Sequence, residues 1–188
     1  RSHRTVTQTG VGEANSTRRR LSAGGLGYTE TGSSAAMDAI TLLENDHHTV
    51  EQLFKQFEQA GDRAHVQKRQ VVDRIIEELS MHTAIEEQVF YPVARGSVPD
   101  TEDITLESLE EHHIIKWLLS ELVDMDPTHE RFDAKVTVLI ENVRHHVEEE
   151  EKRMEGLFSQ ARKAGLDMDA LGTELAARKQ ELTAEYQA

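Results

Sequence analysis

From residue 37 to near the C-terminus, apolar residues return every three or four positions, a rhythm that only α-helices satisfy. One stripe holds Ile40, Leu43, His47, Val50, Phe54 and Phe57. A second holds Val72, Ile75, Leu79, His82, Glu86 and Val89, and a third Leu109, His112, Ile115, Leu119 and Leu122. The fourth runs Phe132, Val136, Leu139, Val143, His146, Glu150, Met154 and Leu157. Breakers divide these runs, so the spacing predicts helices over 38–60, 64–91, 103–125, 129–163 and a shorter one over 167–187. They are expected to stop at Gly61-Asp62, at Pro92 with the loop "ARGSVPDTED", at Asp126-Pro127 and near Gly165. No strand-like alternation competes. Short connections between long helices give an all-α, antiparallel up-down-up-down four-helix bundle over 37–163, with a short extra C-terminal helix over 164–188.

Residues 1–36 have a different character. They hold six of the eleven glycines and five arginines against only Glu13 and Glu30, a charge of +3 beside −17 for the remainder. This composition predicts a disordered leader, read as upstream sequence in preference to a targeting segment because amphipathic apolar spacing is lacking and helical periodicity starts at Met37. The overall charge of −14 argues against nucleic acid or an anionic membrane as partner, and no run of 18 apolar residues exists to span a bilayer. Absence of cysteine removes disulfides, thiolate metal sites and cysteine nucleophiles, and fits a cytoplasmic protein. P-loops, nucleophile elbows and dinucleotide-binding turns are missing too.

What remains is a set of charged residues on the wrong side of their helices. Each stripe carries one histidine, while the neighbours His48, His113 and His145 fall outside it. His82 with Glu86, and His146 with Glu150, stand one turn apart and both face inward, whereas Glu148 and Glu149 belong to solvent and Glu151 to the boundary. His47 precedes His82 by 35 residues and His112 precedes His146 by 34, so two helix pairs repeat one design: a lone histidine, then an H-x-x-x-E pair. Four imidazoles and two carboxylates cannot share a core without compensation, because an unpaired buried carboxylate costs several kcal/mol. A cation relieves both. Zinc is satisfied by four ligands, so six donors argue for two metals, and imidazole with carboxylate favours iron or manganese.

The stretches "ENDHHTVEQLF", "ELSMHTAIEEQVFYP", "LEEHHIIKWLL" and "VRHHVEEEEKRM" resemble the hemerythrin-like, or HHE cation-binding, family over about residues 38–158. The opening "MDAITLLENDHH" and the fifth helix look most like its bacterial, actinobacterial branch. The resemblance implies a bundle holding two irons, oxo- or hydroxo-bridged, with His47, His82, Glu86, His112, His146 and Glu150 as ligands and the two glutamates bridging. It further implies chemistry with hydrogen peroxide, nitric oxide or O2: catalase-like turnover, or else sensing or storage without turnover. Two departures mark this chain. Lys116 stands where oxygen-carrying members have another histidine, and the closing motif of those members points at Glu151 instead of Glu150. A seventh ligand is then sought among His113, Glu111, Glu151, Tyr91 or water, and simple reversible O2 carriage is disfavoured.

Other residues carry plainer expectations. Trp117, Phe54, Phe57 and Phe90 are read as core packing, His65 and His129 as surface, and Glu87 as solvent-facing or at the edge of its stripe. Leu171, Leu175, Leu182 and Tyr186 share one side of the fifth helix, which packs on the bundle or on a second copy, a monomer or weak homodimer being expected.

Overall fold

The structure, a computed structural model, describes residues 37–186; the leader expected over 1–36 lies outside the described residues. The described chain is helical: α1 spans Ala39–Gln59, α2 His65–Ile85, a π-helical turn Glu86–Phe90, α3 Tyr91–Ser97, α4 Glu102–Val123, α5 Phe132–Glu151, α6 Leu157–Lys163 and α7 Met168–Tyr186. Asp38 starts α1 by accepting a hydrogen bond from the Thr41 N–H, and Gly165, at φ 75°, follows α6 in the left-handed conformation that glycine adopts at helix ends.

The four long helices form the expected antiparallel bundle. Arg69 near the start of α2 donates to the carbonyls of Leu122 and Met125 at the end of α4, so those two helices run opposite ways and the carbonyls closing α4 gain a side-chain donor. Arg144 of α5 reaches both Glu51 and Glu58 of α1. Two apolar clusters fill the interior. One gathers Leu53, Phe54, Ile75, Ile115, Leu122 and Phe132; the other gathers Ile40, Leu43, Ile85, Phe90, Leu157 and Leu171. The four stripe histidines lie between them in every helix, making a polar layer with an apolar plug on either side.

Three expectations need correction. Pro92 does not end the second helix, which runs on to Ser97 because the π turn just before it leaves the proline in the first turn of α3, where its missing N–H costs nothing. The fourth helix stops at Glu151 instead of continuing to 163, and Met154 is 75% exposed. Four consecutive glutamates sit at the negative end of the helix dipole there with no basic residue in the last turn, so propagation is unfavourable. Gly156 then admits a sharp return, since a Cβ at that position would lie 2.4 Å from the Glu150 carbonyl oxygen. Trp117 is 57% exposed, two positions past Ile115 and off the stripe, with the Lys135 ammonium 5.6 Å from its ring centre. Phe54, Phe57 and Phe90 are buried as expected; Leu171 and Leu175 pack into the second cluster while Tyr186 stays exposed.

Candidate metal centre

His47 comes from α1, His82 from α2, His112 from α4 and His146 from α5, and all four are buried. Glu86 and Glu150 have no solvent exposure. Exposed neighbours His48, His113 and His145 remain outside the bundle. Each inward residue sits on its apolar stripe, so folding the stripe inward carries the polar group with it.

The π turn adds a residue that regular helical phase hides. Its N–H of Tyr91 bonds the carbonyl of Glu86, five positions back, so the extra residue turns Tyr91 onto the face that already carries His82 and Glu86. The Tyr91 hydroxyl donates to Glu150 Oε1 at 2.8 Å and lies 3.3 Å from both Glu86 Oε2 and His112 Nε2. A proline in mid-helix, one residue after the tyrosine, was the only sequence signal of this irregularity.

The inner atoms fall into two pairs. His47 Nε2 and His82 Nε2 are 3.0 Å apart, and His112 Nε2 and His146 Nε2 are 3.1 Å apart. Glu86 Oε2 joins the pairs on one side, 3.1 Å from His82 and 3.3 Å from His112. Glu150 Oε2 joins them on the other, 3.5 Å from His47 and 3.4 Å from His146. Two donor sets result: His47, His82, Glu86 and Glu150, and Glu86, His112 and His146.

This donor set fits cations. Glu86 Oε1 and Glu150 Oε2 are buried without a hydrogen-bond donor, a state that a carboxylate oxygen rarely tolerates. The field is strongly negative. Burial opposes a charge on His82, yet Glu86 and Asp46 outweigh it and push the imidazole up to about 10. Burial, and then the charge of Glu86, raises the Glu150 carboxyl to about 8. Burial with the nearby Glu150 and Glu86 charges holds the Tyr91 phenol well above its usual range, so it keeps its proton.

The outer ring nitrogens show why the Nε2 atoms point inward. His47 Nδ1 is 2.7 Å from Glu151, His146 Nδ1 is 2.8 Å from Glu111, and His112 Nδ1 is 3.1 Å from Glu87. The fourth, His82 Nδ1, faces Asp46 Oδ2 at 3.7 Å. A carboxylate behind an imidazole fixes the Nδ1–H tautomer and leaves the Nε2 lone pair for a metal. Each acid is the chain neighbour of an inner residue and serves the next helix: Asp46 beside His47, Glu87 beside Glu86, Glu111 beside His112, Glu151 beside Glu150. The clasps therefore run α1 to α5, α5 to α4, α4 to the π turn, and α2 back to α1.

Glu87, expected toward solvent or at the edge of its stripe, and Glu111 and Glu151, expected among the candidates for a seventh ligand, all hold imidazoles from behind. Lys116 pairs with Glu87 at 2.7 Å, half exposed, and does not enter the centre. Above the Nε2 atoms, a cavity of about 10 Å³, lined also by Val50, Leu79, Ile115 and Val143, has the size of a single water. On the far side Phe158 stacks on the His47 ring, with centres 5.8 Å apart and planes 9° apart.

A model of the hemerythrin HHE cation binding domain matches residues 38–158. A DNA nickase of Nostoc sp. is 27% identical over 130 residues, covering 69% of this chain but 36% of that protein, so the chain spans about a third of this relative's length. A crystal structure of a hemerythrin HHE cation binding domain-containing protein from Mycobacterium kansasii has the same fold, with a TM-score of 0.66 at 19% identity over 80% of this chain and 91% of the other. With the match covering most of the chain and enclosing all six inward residues, this protein belongs to the hemerythrin HHE cation-binding family.

Proposed function

We propose that the protein holds two iron ions between His47, His82, Glu86, His112, His146 and Glu150 and turns over small oxidants, hydrogen peroxide foremost and nitric oxide as a related substrate. The observation that carries this reading is the pairing of four Nε2 atoms across two carboxylates, one of which, Glu86, is common to both donor sets. When bound, iron supplies the change of redox state that no side chain here provides. The protein's own residues do the rest. The outer carboxylates orient the imidazoles. Tyr91 keeps a proton at its hydroxyl and presents it to Glu150 Oε1, the one phenol in contact with the centre among the described residues. Val50, Leu79, Ile115 and Val143 give the water-sized cavity an apolar ceiling, which favours the smallest molecules over larger substrates.

Sensing or storage without turnover is the competing reading, and one measurement divides them. Iron-supplemented protein should carry two irons per chain with visible charge-transfer bands and release O2 from peroxide over many cycles. Bleaching after a single equivalent of peroxide transfers the case to sensing or storage, and a colourless, iron-free preparation removes both. DNA cleavage is not carried over from the Nostoc relative: the shared part is a minority of that protein, and a charge of −14 gives this chain no phosphate-binding footprint. No helix of the described residues is long and apolar enough to cross a membrane. A cytoplasmic monomer or weak homodimer completes the proposal.

A further inference from the structure

Three of the four imidazole clasps are closed, at 2.7, 2.8 and 3.1 Å, and the fourth is open. Asp46 Oδ2 stops 3.7 Å from His82 Nδ1, beyond hydrogen-bond distance, and both atoms are buried with no other partner among the described residues. The cause is visible on the other side of the carboxylate. Lys179 of α7 takes Asp46 Oδ1 at 2.6 Å. The next residue along α7, Arg178, donates to Gln88 in the π turn at 2.7 Å. Two consecutive cations of one helix thus grip the two elements that supply Asp46 and Glu86. That helix lies wholly outside residues 38–158, the part matched by the family model.

We propose that Lys179 and Asp46 are a positioning pair through which α7 sets how firmly the His82 imidazole is held, an inference that rests on the cation-binding reading above. With Lys179 in place, Asp46 is drawn off His82, which is left the one imidazole of the four whose Nδ1 has no closed hydrogen bond behind it. When Lys179 is withdrawn or neutralised, the carboxylate turns its free oxygen onto Nδ1 and completes the fourth clasp. An aspartate behind a metal-facing histidine makes it a stronger ligand, so docking of α7 weakens the His82 position relative to the other three.

The test uses the full chain, with Co(II) as the metal probe and the ¹⁵N resonance of His82 Nδ1 in metal-free protein as an independent readout. In Lys179→Met the resonance should move toward that of a hydrogen-bonded N–H and Co(II) should bind several-fold tighter, whereas Lys179→Arg should resemble the parent in both. Asp46→Asn should weaken Co(II) binding by about tenfold or more. Adding Lys179→Met to Asp46→Asn should then change nothing further, because the lysine acts through that carboxylate. If Lys179→Met alters only the melting temperature, or changes affinity equally in the Asp46→Asn background, the pair is a structural anchor and the inference is overturned. Failure of every form to bind Co(II) would defeat the metal reading itself, while the resonance would still decide whether Lys179 governs His82.

Discussion

His82 and its three counterparts are each addressed from two sides, Nε2 toward the centre and Nδ1 toward a carboxylate from a neighbouring element. Removing an inward donor should therefore matter far more than removing its outward neighbour. His82→Ala and Glu86→Ala are expected to lose at least one of two metal equivalents, while His48→Ala and His145→Ala keep both, as metal-to-protein ratios would show. Equal losses from inward and outward variants would refute the assignment. Glu151→Gln should retain the centre but weaken its metal affinity by about 10–100-fold in a competition titration, the usual consequence of losing a carboxylate behind a ligand. Helical phase singled out the six inner residues because it reports which face of one helix a residue occupies. It missed the backing role of Asp46, Glu87, Glu111 and Glu151, since the partner of each Nδ1 comes from another element and depends on the axial register between helices, which no single-helix periodicity encodes.

The elements teach the same lesson at larger size. The breakers and stripes locate α1, α2, α4 and α5, but an inserted π residue shifts everything after Phe90 by about 100°. Tyr91 could not be placed by counting in threes and fours from Glu86, because the helix there counts five. At α7, local propensity and packing predict opposite signs. Gly172 is interior to a helix, where Gly→Ala ordinarily stabilises by about 1 kcal/mol. Yet a Cβ there would lie 2.1 Å from the Met37 carbonyl oxygen and 2.8 Å from the Ala39 nitrogen. Gly172→Ala is expected to destabilise by about 1–3 kcal/mol in thermal unfolding, with amides of α7 losing hydrogen-exchange protection first. A raised melting temperature would show that α7 does not sit against the start of α1.

For the molecule as a whole, a polar layer sandwiched between two apolar clusters ties folding to occupancy. A ligand that binds only the folded state, at a hundredfold excess over its Kd, contributes about 2.7 kcal/mol, or about 5–10 °C in a domain of this size. Chelation should lower the melting temperature by that order, and restored iron should recover it. Affinity should also fall as pH drops, because His82, pushed up to about 10 without a metal, and His112, also raised by its carboxylate neighbours, hold protons that compete for the same Nε2 lone pairs; the sign is one of binding that tightens steadily toward alkaline pH. Metal titrations at pH 5.5 and 7.5 would check this, and pH-independent binding would contradict a histidine-built centre. The imidazole clasps pass in one direction around the bundle, each helix lending an acid to one neighbour and a ring to the other. A chain with any one helix undocked loses two of these pairings at once, one of them the open His82–Asp46 pair where α1 or α2 is the helix, so the centre reports on the completeness of the whole barrel of helices and offers a half-assembled bundle almost nothing.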